Sequence, residues 1–231
     1  MIENYEGRQL GLLHATHRTA VMAKTFTDRI FPGMVCRHIV DELIAKDNFD
    51  SEIGVLPKKN FLKYAFYSKM LEEAGCEAIV SCCTFMTEAL EYAQKVVGIP
   101  CFSLEDPVIK QAAHYDRVGL VYTTEYLLPY TKRALYNEAA RIGRKVELID
   151  VLDKNIYQYF YLEEFDKHNQ MMIEQMRKLE EKVDCLILAQ GPHSIMEDDV
   201  KDAGFKIPVF CPGTATFNMV KEEINKRYFA K

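Results

Sequence analysis

Apolar runs that read as buried strands alternate along the chain with stretches in which apolar residues return every three or four positions. Residues 10–16, LGLLHAT, form the first run and end in polar residues, and a helical period follows to about residue 28. Residues 35–40 predict a short strand, 60–74 a helix, 78–81 a strand, 84–97 a helix, and 99–103 a strand closed by Asp106-Pro107. Beyond it, 108–115 predict a helix, 118–123 and 146–151 strands, 163–182 a long amphipathic helix, 185–189 a strand, and 215–228 a helix. Strand-helix alternation of this kind predicts an α/β fold, a parallel sheet flanked by helices.

The second half of the pattern repeats the first. LGLLHAT lies on VGLVYTT with Gly11 on Gly119, a gapless offset of 119 − 11 = 108 positions. The same offset lays GIPCF on KIPVF, with Pro100 on Pro208, and lays Cys82 on Gln190. Two pseudo-symmetric halves are therefore predicted, each a small parallel sheet of about four strands flanked by helices. Residues 1–106 with 213–231 make the first half, because the last helix crosses back, and 107–212 make the second. Ligands bind beyond the carboxyl ends of strands in open parallel sheets. Two facing halves would enclose an active-site cleft lined by residues 14–16, 81–84, 122–124 and 190–193.

Composition narrows the function. The chain has 231 residues, is 48% hydrophobic and carries a formal charge of -5, so it builds ordinary cores and offers no basic field for nucleic acid. No apolar run reaches the length of a membrane span, and MIENYEGRQL lacks the features of a signal peptide, which makes the cytoplasm the expected compartment and a membrane an unexpected partner. The seven cysteines lie mostly in or beside apolar segments, which fits reduced thiols better than disulfides. The adjacent pair Cys82-Cys83 has no second ligand pair at zinc-like spacing, so no metal is expected. A dinucleotide fingerprint, a phosphate loop and a pyridoxal phosphate lysine motif are all missing, so no cofactor is expected.

The stretch of residues 77–88, EAIVSCCTFMTE, concentrates the candidate chemistry. A strand end feeding a helix start sets Cys82, Cys83 and Thr84 where unpaired N–H groups favour an anion, either a thiolate or a bound carboxylate. Adjacent strand-end residues point to opposite sides, so Cys82 is read as base or nucleophile and Cys83 as a substrate contact. His14 and His193 follow strands in the two halves and are candidates for a second proton-transfer group. Thr16, Thr84, Tyr122, Thr123, Thr124 and Thr214 suit a carboxylate through their hydroxyls, and the threonines equally suit helix N-caps. The aromatic run IYQYFY, residues 156–161, reads as packing.

These residues carry a resemblance. The duplicated halves, the strand-end Cys82-Cys83-Thr84 and the strand-end Thr123 and Thr124 are similar to the aspartate/glutamate racemase superfamily, which also holds hydantoin racemases, maleate isomerases and arylmalonate decarboxylases. The likeness covers nearly the whole chain. It implies that a cysteine from each half faces the substrate α-carbon, one removing a proton and the other returning it, without a cofactor, in a homo-oligomer. Cys82 matches the first cysteine, in a motif the family commonly reads Cys-Asn-Thr. Where the family reads Gly-Cys-Thr-His, this chain has Ala189-Gln190-Gly191-Pro192-His193, so Gln190 stands for the second thiol. A primary amide is no base near neutral pH but can hydrogen-bond a carboxylate. Three activities stay open: a racemase or epimerase on a small carboxylate or amino-acid-like substrate with Cys82 as base, a single-thiol isomerase or lyase, and a carboxylate-binding protein without turnover.

Overall fold

The computed structural model describes residues 4–228 and divides the chain into two compact units, Met1–Leu104 with Gly213–Lys231, and Glu105–Pro212. The first unit contains β1 (Gln9–His14), α1 (His17–Ile30), β2 (Val35–Val40), α2 (Glu42–Phe49), α3 (Lys58–Glu73), β3 (Ala78–Ser81), a 3-10 turn at Thr84–Met86, α4 (Thr87–Gln94) and β4 (Cys101–Ser103). The second contains α5 (Asp106–Ala112), β5 (Arg117–Tyr122), α6 (Leu128–Arg141), β6 (Glu147–Leu152), α7 (Lys154–Tyr161), α8 (Phe165–Glu180), β7 (Cys185–Ile187), a 3-10 turn at Gly191–Met196, α9 (Glu197–Ala203) and β8 (Val209–Phe210). The last helix, α10 (Pro212–Tyr228), belongs to the first unit but for its opening proline.

Each unit is a four-stranded, wholly parallel sheet, ordered β2-β1-β3-β4 in the first and β6-β5-β7-β8 in the second. The central strands are apolar on both faces, as covered parallel strands require: β3 is buried at every position, and β1 and β5 at all but their first. α1 buries Thr19, Met22, Ala23, Phe26, Thr27 and Ile30, one stripe at helical spacing. α10 packs on the first unit, stacking Phe217 on Phe26 at 5.8 Å between ring centroids. In the second unit Met172, Met176 and Leu179 of α8 pack with Val121, Leu186 and Leu188.

The duplication extends to details that the strings did not carry. Asp41 caps α2 by accepting from Leu43 N at 3.0 Å, and Asp153 caps α7 by accepting from Asn155 N at 3.1 Å. Gly11 and Gly119 occupy matching strand positions and side chains crowd both: an added Cβ would lie 2.9 Å from Leu71 Cδ1 of α3 in the first unit and 2.6 Å from Leu186 Cδ2 of the neighbouring strand β7 in the second.

Strand registers correct one of the three sequence matches. Gly11 pairs with Ile79 in the first sheet and Gly119 with Leu186 in the second, so β3 and β7 are related by 186 − 79 = 107 positions. β1 with β5 and β4 with β8 keep the offset of 119 − 11 = 108. Gln190 therefore corresponds by strand register to Cys83, and Cys82 corresponds to Ala189. A gapless alignment cannot register a one-residue slip that a longer following turn absorbs. The structure also opens the segment predicted as helix 84–97 with the 3-10 turn, and the α-helix starts only at Thr87. Short helices with few buried positions, such as α2 with only Ile44 and Asn48 buried, escaped the pattern.

Gly119→Ala is expected to destabilise the protein by about 1–3 kcal/mol through overpacking, read as a lower urea midpoint at unchanged m-value. A loss below about 0.5 kcal/mol would show that the close approach of Leu186 and Val183 carries no constraint.

Candidate active site

Cys82 follows β3 directly, and its N–H donates to Leu13 O at 2.9 Å, extending the ladder between β3 and β1 by one residue. Its side chain is buried with 1% of its surface exposed. Burial, with the neighbouring Cys83 thiol adding to it, holds its pKa far above that of a free cysteine, so the thiol is neutral at physiological pH. The expected stabilisation of a thiolate by a helix start loses to desolvation here, since the chain turns through 3-10 geometry before any α-helix begins. Cys83 is half-buried with extended backbone at φ -132°, ψ 108°.

Two buried polar residues surround this turn: Ser81, already in the predicted lining, and Tyr64, which the sequence did not single out. Ser81 Oγ donates to Cys83 O at 3.4 Å and accepts from the Tyr64 hydroxyl at 3.0 Å. Tyr64 comes from α3 and is fully buried, with its pKa pushed well up by that burial and by the Cys83 thiol. Its spacing with Ser68 and Leu71 reads in sequence as one more packing position. Thr84 is buried at the head of the turn, its carbonyl accepting from Thr87 Oγ1 at 3.0 Å. Ser103, at the end of β4, lies 3.1 Å from the same Thr87 hydroxyl.

His14 ends β1 in the same unit, but its ring is fully committed. Thr19 Oγ1 donates to Thr16 O at 2.9 Å and so accepts from His14 Nδ1 at 3.1 Å. That leaves His14 Nε2 as the acceptor for His38 Nδ1–H at 3.0 Å. Burial, reinforced by His38, lowers the His14 pKa to about 3. The lone pair a base would need is thus occupied. Thr16 is the N-cap residue of α1, and Thr214, in the first turn of α10, accepts from the Arg29 guanidinium.

The second unit repeats this cross-strand pair in different chemistry. Register pairs Leu12 with His38 and Leu120 with Asp150, so the His14–His38 contact corresponds to the Tyr122 hydroxyl donating to Asp150 Oδ2 at 2.9 Å. Thr123 and Thr124 follow and are buried. Thr123 donates to Gln190 Oε1 twice, from its backbone N and from Oγ1, each at 3.1 Å. His193, three residues on, is completely buried, and neither ring nitrogen has a hydrogen-bond partner among the described residues. Burial, with His168 nearby at 5.6 Å between ring centroids, drives its pKa well down, so its imidazole is neutral. Of the sequence candidates, Cys82, Cys83 and Thr84 share one strand-end turn in the first unit, and Thr123 and Gln190 share hydrogen bonds in the second. All seven cysteines are free thiols, and among the described residues no group of three or more His, Cys, Asp or Glu is placed to hold a metal ion.

The chain belongs to the Asp/Glu/hydantoin racemase family, a family of isomerases, whose model matches residues 19–220. No curated protein matches it in sequence. Among solved structures it is similar to the glutamate racemase of Francisella tularensis, at 12% identity, covering 97% of this chain and 83% of that one with a TM-score of 0.70. It is also similar to an aspartate racemase homologue of Pyrococcus horikoshii, at 15% identity, 94% and 98% coverage and a TM-score of 0.66. The allantoin racemase of Pseudomonas fluorescens matches at 14% identity, 95% and 92% coverage and a TM-score of 0.66. At these identities the likeness establishes the fold. No helix among the described residues is long and apolar enough to cross a membrane.

Iodoacetamide is expected to alkylate Cys82 slowly at about pH 7.5, with a rate that climbs about tenfold per pH unit to about pH 10, followed by mass spectrometry of the peptide. A rate that levels off near about pH 8 would mean an ordinary or activated thiol.

Proposed function

We propose that the protein is a cofactor-independent, racemase-like enzyme that moves a proton at the carbon next to the carboxylate of a small amino-acid-like or hydroxy acid, with Cys82 as the proton-transferring thiol. The observation that carries this reading is the position and state of Cys82: it stands at the strand end that matches the family's first cysteine, and it is buried and neutral. A neutral thiol is a ready acid for a carbanion or enediolate. Its thiolate, formed in a dry site, is a strong base though a sparsely populated one. Cys82 therefore serves as acid in one direction of the reaction and as base in the other.

The second half has no thiol at the strand end that matches Cys82 to complete a symmetric device. Gln190 carries an amide and Ala189, its neighbour, a methyl. Neither takes up a proton near neutral pH. Proton exchange is consequently expected on one face of the substrate carbon, and inversion only as fast as another group or water serves the opposite face. The neutral thiol also favours a second reading, in which Cys82 protonates an enediolate left by decarboxylation or a double-bond shift and yields one product enantiomer.

Incubated in deuterated water with a panel of small amino and hydroxy acids, the enzyme is expected to place deuterium at the α-carbon of one enantiomer faster than it racemises it. Cys82→Ser should lower that exchange about 10²–10⁴-fold, the usual contribution of a positioned acid-base group. No deuterium in any substrate of a broad panel sinks the proton-exchange reading, and a single-enantiomer product from a malonate or alkene substrate would select the second one.

A further inference from the structure

Gln190 is 5% exposed, and its amide is held in one orientation. The backbone N–H of Thr123 can only donate, so the amide atom 3.1 Å from it must be the oxygen. The Thr123 hydroxyl donates to the same oxygen at 3.1 Å, and the two donors fill both of its lone pairs. Nε2 is therefore turned away from Thr123 with both hydrogens outward. It donates to no described residue, yet it is not among the buried side-chain atoms without a partner. An almost buried amide whose two donors open outward is prepared to bind.

We propose that Gln190 is a ligand-binding donor for a carboxylate or enediolate oxygen, and that Thr123 is the positioning residue that fixes its amide for that task. Two N–H groups and no outward lone pair suit a group that only accepts hydrogen bonds; an ammonium or amide N–H in the same place would face donors alone. Thr123, expected from the sequence to touch the substrate, acts instead through Gln190, because its hydroxyl proton is already spent. Tyr122 is likewise committed, to Asp150. The strand slip gives this meaning: the amide stands where the first half has Cys83, a contact position, and not where it has the proton-transferring thiol.

The inference rests on the proposed function only in taking carboxylates as probes. Protein labelled with ¹⁵N at glutamine side chains is titrated with acetate, malonate, D-glutamate and L-glutamate, with malonamide as a neutral control, and the Gln190 signal is identified by its loss in Gln190→Glu. Malonate or another of the carboxylates is expected to shift the Gln190 side-chain signal, and malonamide is not. Gln190→Glu, which turns an acceptor outward, should weaken that carboxylate about 10–100-fold, and Thr123→Val about fivefold, since the backbone N–H remains. Thr123→Ser, which keeps the hydroxyl, should bind within about twofold of the unsubstituted protein. The proposal is overturned by a Gln190 signal that no carboxylate moves, by unweakened binding in Gln190→Glu, or by Thr123→Ser binding no better than Thr123→Val. The first of these is read on the unsubstituted protein and does not depend on any variant folding. Deuterium exchange alongside an unmoved Gln190 signal would reject this inference and leave the proton-transfer reading standing.

Discussion

Desolvation at the carboxyl end of β3 is the constraint on which the chemistry depends. Parallel strands covered by helices are buried along their length, and here burial extends one residue past the strand, into the Cys82 side chain. Charging a thiol in such a place is penalised by the loss of water, and the adjacent Cys83 thiol adds to that penalty. The same constraint acts on His14 and His193, which burial keeps neutral by driving their pKa values down. The strand ends thus present the neutral thiol of Cys82, neutral imidazoles, hydroxyls and an amide. Such groups bind anions and pass protons without adding charge of their own.

Duplication supplies the frame, and the two halves diverge at the points that touch chemistry. The glycines under close side-chain contacts and the aspartate caps of α2 and α7 recur because each unit needs them to pack its sheet and to start the helix that follows its edge strand. The cross-strand pair survives as geometry but changes from His14–His38 to Tyr122–Asp150. At the end of the third strand the first half carries a thiol where the second has Ala189, and an amide occupies the neighbouring position. Packing restricts the first set in both halves alike, whereas the second set is free to specialise.

Much of this was legible in the sequence because burial in a parallel sheet leaves continuous apolar runs, and runs of that kind located β1, β3, β5 and β7. The repeat of Gly11 at Gly119 gave the two-unit architecture. What stayed hidden depended on contacts between distant residues. The tautomer of His14 is set by Thr19 and His38, the flip of Gln190 by Thr123, and the polar support beneath Cys83 by Tyr64 and Ser81. Cys82 as a thiolate was read from its local position, whereas its protonation is decided by how completely the surrounding helices exclude water.

The measurement that tests the account most directly is the infrared S–H stretch of Cys82, isolated as the difference between the unsubstituted protein and Cys82→Ala in water and in deuterated water. The account predicts a distinct S–H band for Cys82 at neutral pH that shifts on deuteration and persists into the alkaline range. A difference spectrum without that band at neutral pH would mean a thiolate, and would contradict the reading of Cys82 as a buried, protonated proton donor.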